Sequence, residues 1–324
     1  MFPVKILPVR SNLFSTTLAV ALLVAAGCDG GSTQTGSGGS TTSSNTAGQA
    51  GSGGQGQGGS GGFTTGSGAS DSTGSTSTSG SGGSTSTSTT GTGAGGGSAL
   101  LDVGSLVILG DSISDGGGDG PYYYNLLHTD LEAKYGALEY HHQAQSGSKT
   151  DALVMQINSL PSTLTGPVAV VITSGGNDMK AAIAQILGGI DESKRNEMRQ
   201  NVKNALDLLG TPNHFGPGVD VHVFEGNIYD SSDGSGKYSD YGCKFPLSLF
   251  PAQPTDTYFT NWNTVIAEEV AAHGQTLVDM HTYFYGHGFQ SNPNWYVDDC
   301  IHPSTVGHSE LRNLFYEHIT GETL

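Results

Sequence analysis

The stretch SLVILGDSISDGGGDGPYYY, residues 105–124, decides how this chain is read. An unbroken apolar run, Leu106 to Leu109, halts at Gly110-Asp111-Ser112, and a second run of the same kind, PVAVVIT, occupies 167–173. Continuous apolar runs of this length, bounded by turn residues, are what parallel strands need when both faces of their sheet are covered. Helical spacing follows each of them. Tyr123, Leu126, Leu127, Leu131 and Tyr135 share one face, as do Met198, Val202, Leu206 and Leu209 ahead of Gly210, a helix-ending residue. Further strands are expected at 137–142, 219–226 and 275–280, and further helices at 256–273 and 305–319. The alternation predicts a three-layer α/β/α domain with a mostly parallel sheet of about five strands, taking its ligand at the carboxyl ends of those strands.

That domain fills only residues 99–324. Residues 29–98 are almost entirely Gly, Ser, Thr, Ala, Gln and Asn, with Phe63 as their one aromatic, and they hold 25 of the 51 glycines. Such a segment has too little apolar surface to offset its ordering entropy, so it reads as a disordered linker. As a Gly/Ser coil it would span roughly 45 Å on average. Ahead of it, Lys5 and Arg10 precede the apolar run LFSTTLAVALLVAAG and then Cys28. This is the order of a signal peptide over 1–28, too short and wrongly flanked to span a bilayer. VAAGC resembles the bacterial lipobox, whose cysteine carries lipid. An exported, envelope-tethered monomer is the expectation, with simple secretion after cleavage near Gly27 as the alternative.

Charge narrows the partners. Asp29 and Asp71 cancel Lys5 and Arg10, so the whole formal charge of −17 belongs to residues 99–324. A surface so acidic repels nucleic-acid backbones, and no phosphate-loop motif is present.

A serine just past a buried strand on a Gly-Asp-Ser turn points its hydroxyl into the crevice where ligands bind. The plain alternative is an Asp-Ser turn that caps the next helix. DGGGDG (115–120) fails as a calcium loop, because Gly117 falls on a ligand position and Leu126 stands where a bidentate Glu belongs. A nucleophilic serine needs a base, an orienter for that base and donors for an oxyanion. In DDCIHPSTVGH (298–308), Asp299 and His302 are three residues apart, which lets the carboxylate reach one ring nitrogen while the other faces outward. His281 and His287 lack a ligand cluster, so neither metal nor cofactor is expected. Trp295, Tyr296 and Tyr122 to Tyr124 fit either a groove wall or the core.

Taken together, the motifs resemble those of the SGNH hydrolases, the superfamily of GDSL-type lipases and esterases. GDSI (110–113) is similar to the first block, with Ile113 in place of leucine; AQSGSKT (144–150) to the second; GGND (175–178) to the third; and DCIHP (299–303) to the fifth. The resemblance implies Ser112 as nucleophile, His302 as base and Asp299 as its orienter. It also implies an oxyanion hole from the N–H groups of Ser112 and Gly147 and the amide of Asn177. One position departs from the pattern: where the second block carries asparagine this chain has His142, read as the end of the second strand with His141 in solvent. The implied activity is hydrolysis of small or carbohydrate-borne acyl esters. A long-chain lipase is the runner-up, with no extended apolar lid in the sequence, and a non-catalytic binding module is the opposing class.

The chain has three cysteines. If Cys28 carries lipid, Cys243 and Cys300 form an even pair in an oxidising setting, and a disulfide between them is expected, with two buried thiols as the alternative.

Overall fold

The computed structural model describes residues 99, 100, 102–244 and 247–324. The expected signal peptide (1–28, with Cys28) and linker (29–98) lie outside the described residues. In chain order the elements are β1 (Ser105–Gly110), α1 (Tyr123–Tyr135), β2 (Glu139–His142), α2 (Leu153–Asn158), β3 (Val168–Thr173), α3 (Gly176–Ala181), α4 (Ile183–Leu187), α5 (Glu192–Leu209), β4 (Val221–Gly226), α6 (Asp256–Ala272), β5 (Thr276–Val278), α7 (Met280–Phe284) and α8 (Thr305–Thr320). The five strands form one sheet in the order β2-β1-β3-β4-β5, and every neighbouring pair is parallel.

Alternation along the strands explains the three layers. Leu106 and Ile108 of β1, with Ala169 and Val171 of β3, pack on one face against Tyr123, Leu127, Leu311 and Phe315 of α1 and α8. Val107 and Leu109, with Val170 and Ile172, pack on the other against Leu153, Met198, Val202, Trp262 and Ile266 of α2, α5 and α6. A strand covered on both faces has no side left for polar residues, which is why β1 and β3 read as continuous apolar runs. All six residues of each are buried.

Expected boundaries move by no more than one or two residues. The strand expected at 275–280 ends at Val278, because the Asp279 carboxylate accepts the N–H of Thr282 at 3.1 Å and starts α7 instead. Gly210 does end α5, but with φ −79°, so the position makes no demand for glycine. Among the described residues no helix is long and apolar enough to cross a membrane.

The chain leaves β1, adds β2 on one side, then crosses back to place β3 on the other. That reversal opens a crevice at the carboxyl ends of β1 and β3, the position where open α/β sheets bind ligands. Ser112 follows β1 by two residues, and Asn177 follows β3 by four.

Candidate active site

The turn after β1 is held from several directions. Gly110 has φ +121°, and a β-carbon there would stand 1.9 Å from the Thr173 carbonyl oxygen, so only glycine lets β1 leave the sheet this close to β3. Gln156 of α2 clamps the same residue on both sides. Its Oε1 accepts the Gly110 N–H and its Nε2 donates to the Gly110 carbonyl, each at 2.8 Å. Asp111 is buried, and its carboxylate accepts the N–H of Ile113 at 3.1 Å, which fixes the 3₁₀ turn Ser112–Ser114. Burial pushes the Asp111 carboxyl up to about 7, against a hydrogen bond from Ile113 that works the other way.

Ser112, His302 and Asp299 meet across 190 residues of chain. The Ser112 Oγ lies 2.7 Å from His302 Nε2, and His302 Nδ1 lies 2.6 Å from Asp299 Oδ2. Asp299 Oδ1 accepts the backbone N–H groups of Ile301 and His302, both at 2.9 Å. Burial alone would raise the Asp299 carboxyl, but the His302 ring and these two N–H groups outweigh it and hold the carboxyl below the usual aspartate value. The carboxylate therefore stays ionised beside Nδ1–H, leaving Nε2 free to accept the serine proton. The glycine run answers to the same ring. Gly117 donates its N–H to the Ser112 carbonyl at 2.7 Å and lies flat against the His302 imidazole. His308, buried in the first turns of α8, donates from Nε2 to the Gly117 carbonyl at 2.8 Å. Burial lowers its pKa, which favours the neutral donor.

The three expected oxyanion donors are placed unequally. Asn177 and Ser112 line the same cavity, and one Asn177 amide hydrogen is taken by the Ser148 carbonyl at 2.9 Å, while the second has no acceptor among the described residues. Gly147 precedes Ser148 on an exposed turn outside that lining, and its N–H finds no acceptor among the described residues. Asp178 ties the two segments together, accepting from Thr150 N–H at 2.9 Å and Thr150 Oγ1 at 2.7 Å.

The loop that carries the base is itself anchored. Cys243 and Cys300 form a disulfide with an S–S distance of 2.05 Å. The Tyr229 hydroxyl donates to the Ile301 carbonyl at 2.7 Å, and Ser231 Oγ donates to the Cys300 carbonyl. Cys300 stands at φ +59°, a left-handed conformation that a non-glycine residue keeps only where its surroundings impose it. The segment between β4 and α6 that supplies these anchors is organised around Asp230. That buried carboxylate accepts from the N–H groups of Ser232 and Gly234, and from Ser232 Oγ, Tyr238 OH and Thr255 Oγ1.

Beside Ser112 lies a cavity of about 140 Å³. Its polar residues include Asp111, Ser112, Thr173 and Asn177, from the ends of β1 and β3, and its other walls are mainly aliphatic and aromatic.

His142 ends β2 as expected and also donates from Nε2 to the Ser114 carbonyl at 2.5 Å, while His141 is half-buried rather than in solvent. Tyr123, Tyr124, Trp295 and Tyr296 belong to the core, and His287 stacks on Trp295 with ring centroids 3.6 Å apart. His308 lies on the first turn of the last helix, as its position in the sequence leads one to expect, whereas Gln156, Tyr229 and Ser231 belong to no motif. Gln156 did leave a trace there, as a lone polar side chain between Leu153 and Ile157 on an apolar helix face.

The pattern of the GDSL-like lipase/acylhydrolase family matches residues 108–309. No curated protein matches the chain. Among solved structures it is similar to an extracellular lipase from Streptomyces rimosus (TM-score 0.45, 21% identity, covering 66% of this chain and 99% of that one). It is also similar to an α/β hydrolase enzyme from the metagenome of Lake Arreo in Spain (TM-score 0.46, 21% identity, 68% and 96%). A third is a variant acetyl xylan esterase from Geobacillus stearothermophilus (TM-score 0.47, 16% identity, 69% and 98%). With the family's pattern running from within β1 to the first turns of α8, the chain belongs to the GDSL-like lipase/acylhydrolase family of carboxylic ester hydrolases.

Proposed function

We propose that the chain hydrolyses small or carbohydrate-borne acyl esters through an acyl-enzyme on Ser112. The observation that carries this reading is the continuous contact from Ser112 Oγ through His302 to Asp299. His302 Nε2 takes the Ser112 proton as Oγ attacks the ester carbonyl. The Ser112 and Gly147 N–H groups and the free Asn177 amide hydrogen receive the oxyanion. Collapse breaks the ester C–O bond, and His302 gives its proton to the departing alcohol. A water then loses a proton to His302, attacks the acyl-enzyme and releases the carboxylic acid, returning the proton to Ser112. Asp299 stabilises the imidazolium in both halves. No step in this sequence calls for a metal or an organic cofactor.

The test is hydrolysis of a chromogenic short-chain ester by residues 99–324, with Ser112→Ala and His302→Ala each expected to lose turnover to background. Asp299→Asn should retain a small residue, since the oxyanion donors remain. A fluorophosphonate should add to Ser112, read as a mass increase on its peptide. Near-native turnover in Ser112→Ala sinks the reading.

The location is proposed from sequence alone. Cys28 carries lipid, and residues 29–98 tether a monomeric domain to the bacterial envelope, with no nucleic-acid partner. Cys28→Ser should release the protein from the membrane fraction; a fully membrane-bound variant overturns the lipid anchor.

A further inference from the structure

Resting on the ester-hydrolase reading above, we propose that the cavity beside Ser112 is an acyl pocket for chains of roughly four to eight carbons, its volume of about 140 Å³ being roughly ten times what a single enclosed water needs. An acetyl group would fill only a small part of it. The direction of the cavity assigns it to the acyl side of the ester. A leaving alcohol must sit beside His302 Nε2 to be protonated, yet His302 is not among the residues lining the cavity, whereas Ser112 and Asn177 both are. The group that enters it is therefore the one that stays on Ser112.

Chemistry agrees with direction. Away from Ser112 the apolar wall is formed by Met179, Ile183 and Ile186 from α3 and α4, with Ile228, Phe250 and Phe259 from the segment after β4 and from α6. Asn227, Ser231, Tyr238 and Thr255 line the cavity as well, but each donates within the protein, to Asp279, to the Cys300 carbonyl and, for the last two, to Asp230. The apolar wall is suited to desolvating an alkyl chain. Ile183 also packs against the cluster of Tyr238, Phe250 and the disulfide pair, so the far wall is fixed to the loop that carries His302. Chain length and base position are thereby set by one packed unit.

The experiment is a series of p-nitrophenyl esters from acetate to dodecanoate, with kcat/KM measured for each. Burial of each added methylene should raise kcat/KM by up to about fourfold until the pocket is full, so hexanoate should exceed acetate by at least about tenfold before longer chains decline. Ile183→Ala, which enlarges the wall, should move the optimum to longer chains. Ile183→Trp should lower the hexanoate-to-acetate ratio by at least about tenfold. Thermal melts confirm that each variant is folded, and Ile183→Ala decides the matter if the tryptophan is not accommodated. A wild-type preference for acetate, or a chain-length profile unchanged in Ile183→Ala, overturns the pocket while leaving Ser112-dependent hydrolysis intact. Hydrolysis that survives Ser112→Ala instead removes the reading on which the pocket rests.

Discussion

The imidazole of His302 lies so close to Gly117 that a β-carbon built there would stand 2.3 Å from Cδ2 and 2.8 Å from Nε2. The same β-carbon would be 2.5 Å from the Ser112 carbonyl oxygen, which is backbone and has no room to yield. Gly117→Ala must therefore move the ring. A shift of about an ångström in a catalytic group costs on the order of 100-fold in rate, and that is the expected fall in kcat. Steady-state kinetics on a hexanoate ester, with a melt to confirm folding, make the check; a kcat within twofold of wild type contradicts it.

His308 acts through Gly117, as a positioning residue that donates to the Gly117 carbonyl. His308→Phe keeps a ring but removes the donor, whereas His308→Gln retains a donor. The phenylalanine variant should lose about tenfold in kcat with little change in KM, and glutamine should recover part of it. Leaving the half-buried carbonyl unpaired should also cost about 1–3 kcal/mol of stability. Equal kcat values in the two variants would deny His308 any positioning role.

The disulfide spans 57 residues of sequence, and the chain-entropy estimate for a loop of that size is roughly 4 kcal/mol. For a domain of this length each kcal/mol shifts Tm by about 2–4 °C, so Cys243→Ala should melt about 10 °C lower. Catalysis should fall as well, because Cys300 sits between Asp299 and His302 and loses its anchor. Calorimetry and kinetics on the variant, and on wild type treated with dithiothreitol, should show both losses together. A lower Tm with an undiminished rate would separate the staple from the catalytic loop.

Glu225 of β4 is buried, and neither of its carboxyl oxygens has a hydrogen-bond partner among the described residues. Burial, aided by the nearby Glu269 charge, pushes its carboxyl from 4.5 up to about 8. Between those two values the unfolded chain has released this proton and the folded chain has kept it. Stability contributed by the neutral form is fully present below about 4.5 and is lost as pH rises through 8. The slope approaches about 1.4 kcal/mol per pH unit. Glu225→Gln should flatten the decline, as read from denaturant midpoints at pH 5, 6.5 and 8. Identical slopes in variant and wild type would show that Glu225 does not titrate in this way.

What the sequence disclosed depended on how local each signal was. β1 and β3 were legible because burial on both faces writes a continuous apolar run. α5, α6 and α8 were legible because each is long enough to show a helical period. α2, α3 and α4 are only five or six residues long and show no period, so no sequence pattern marks them. The Asp299–His302 pair was visible as spacing within one turn, and the cysteine pairing as parity. Tyr229 and Ser231 were not, because they reach the catalytic loop from 72 and 69 residues away, through backbone carbonyls that no side-chain pattern encodes. Trp295 and Tyr296 show the converse: position beside the catalytic loop suggested a groove, and packing against Phe284 places them in the core.

Asp230 gives the segment between β4 and α6 an internal organisation of its own, because its carboxylate gathers five donors from Ser232, Gly234, Tyr238 and Thr255 without help from the sheet. The nucleophile, meanwhile, is held by Gln156 and Thr173 on the opposite side of the crevice. Nucleophile and base are therefore mounted on different parts of the chain, and the segment that anchors the base also supplies Tyr238 and Phe250 to the cavity wall. A change between Asp230 and Cys243 cannot reshape that wall alone: it is passed through Cys300 to His302, so which acid is released and how fast it is released are altered together.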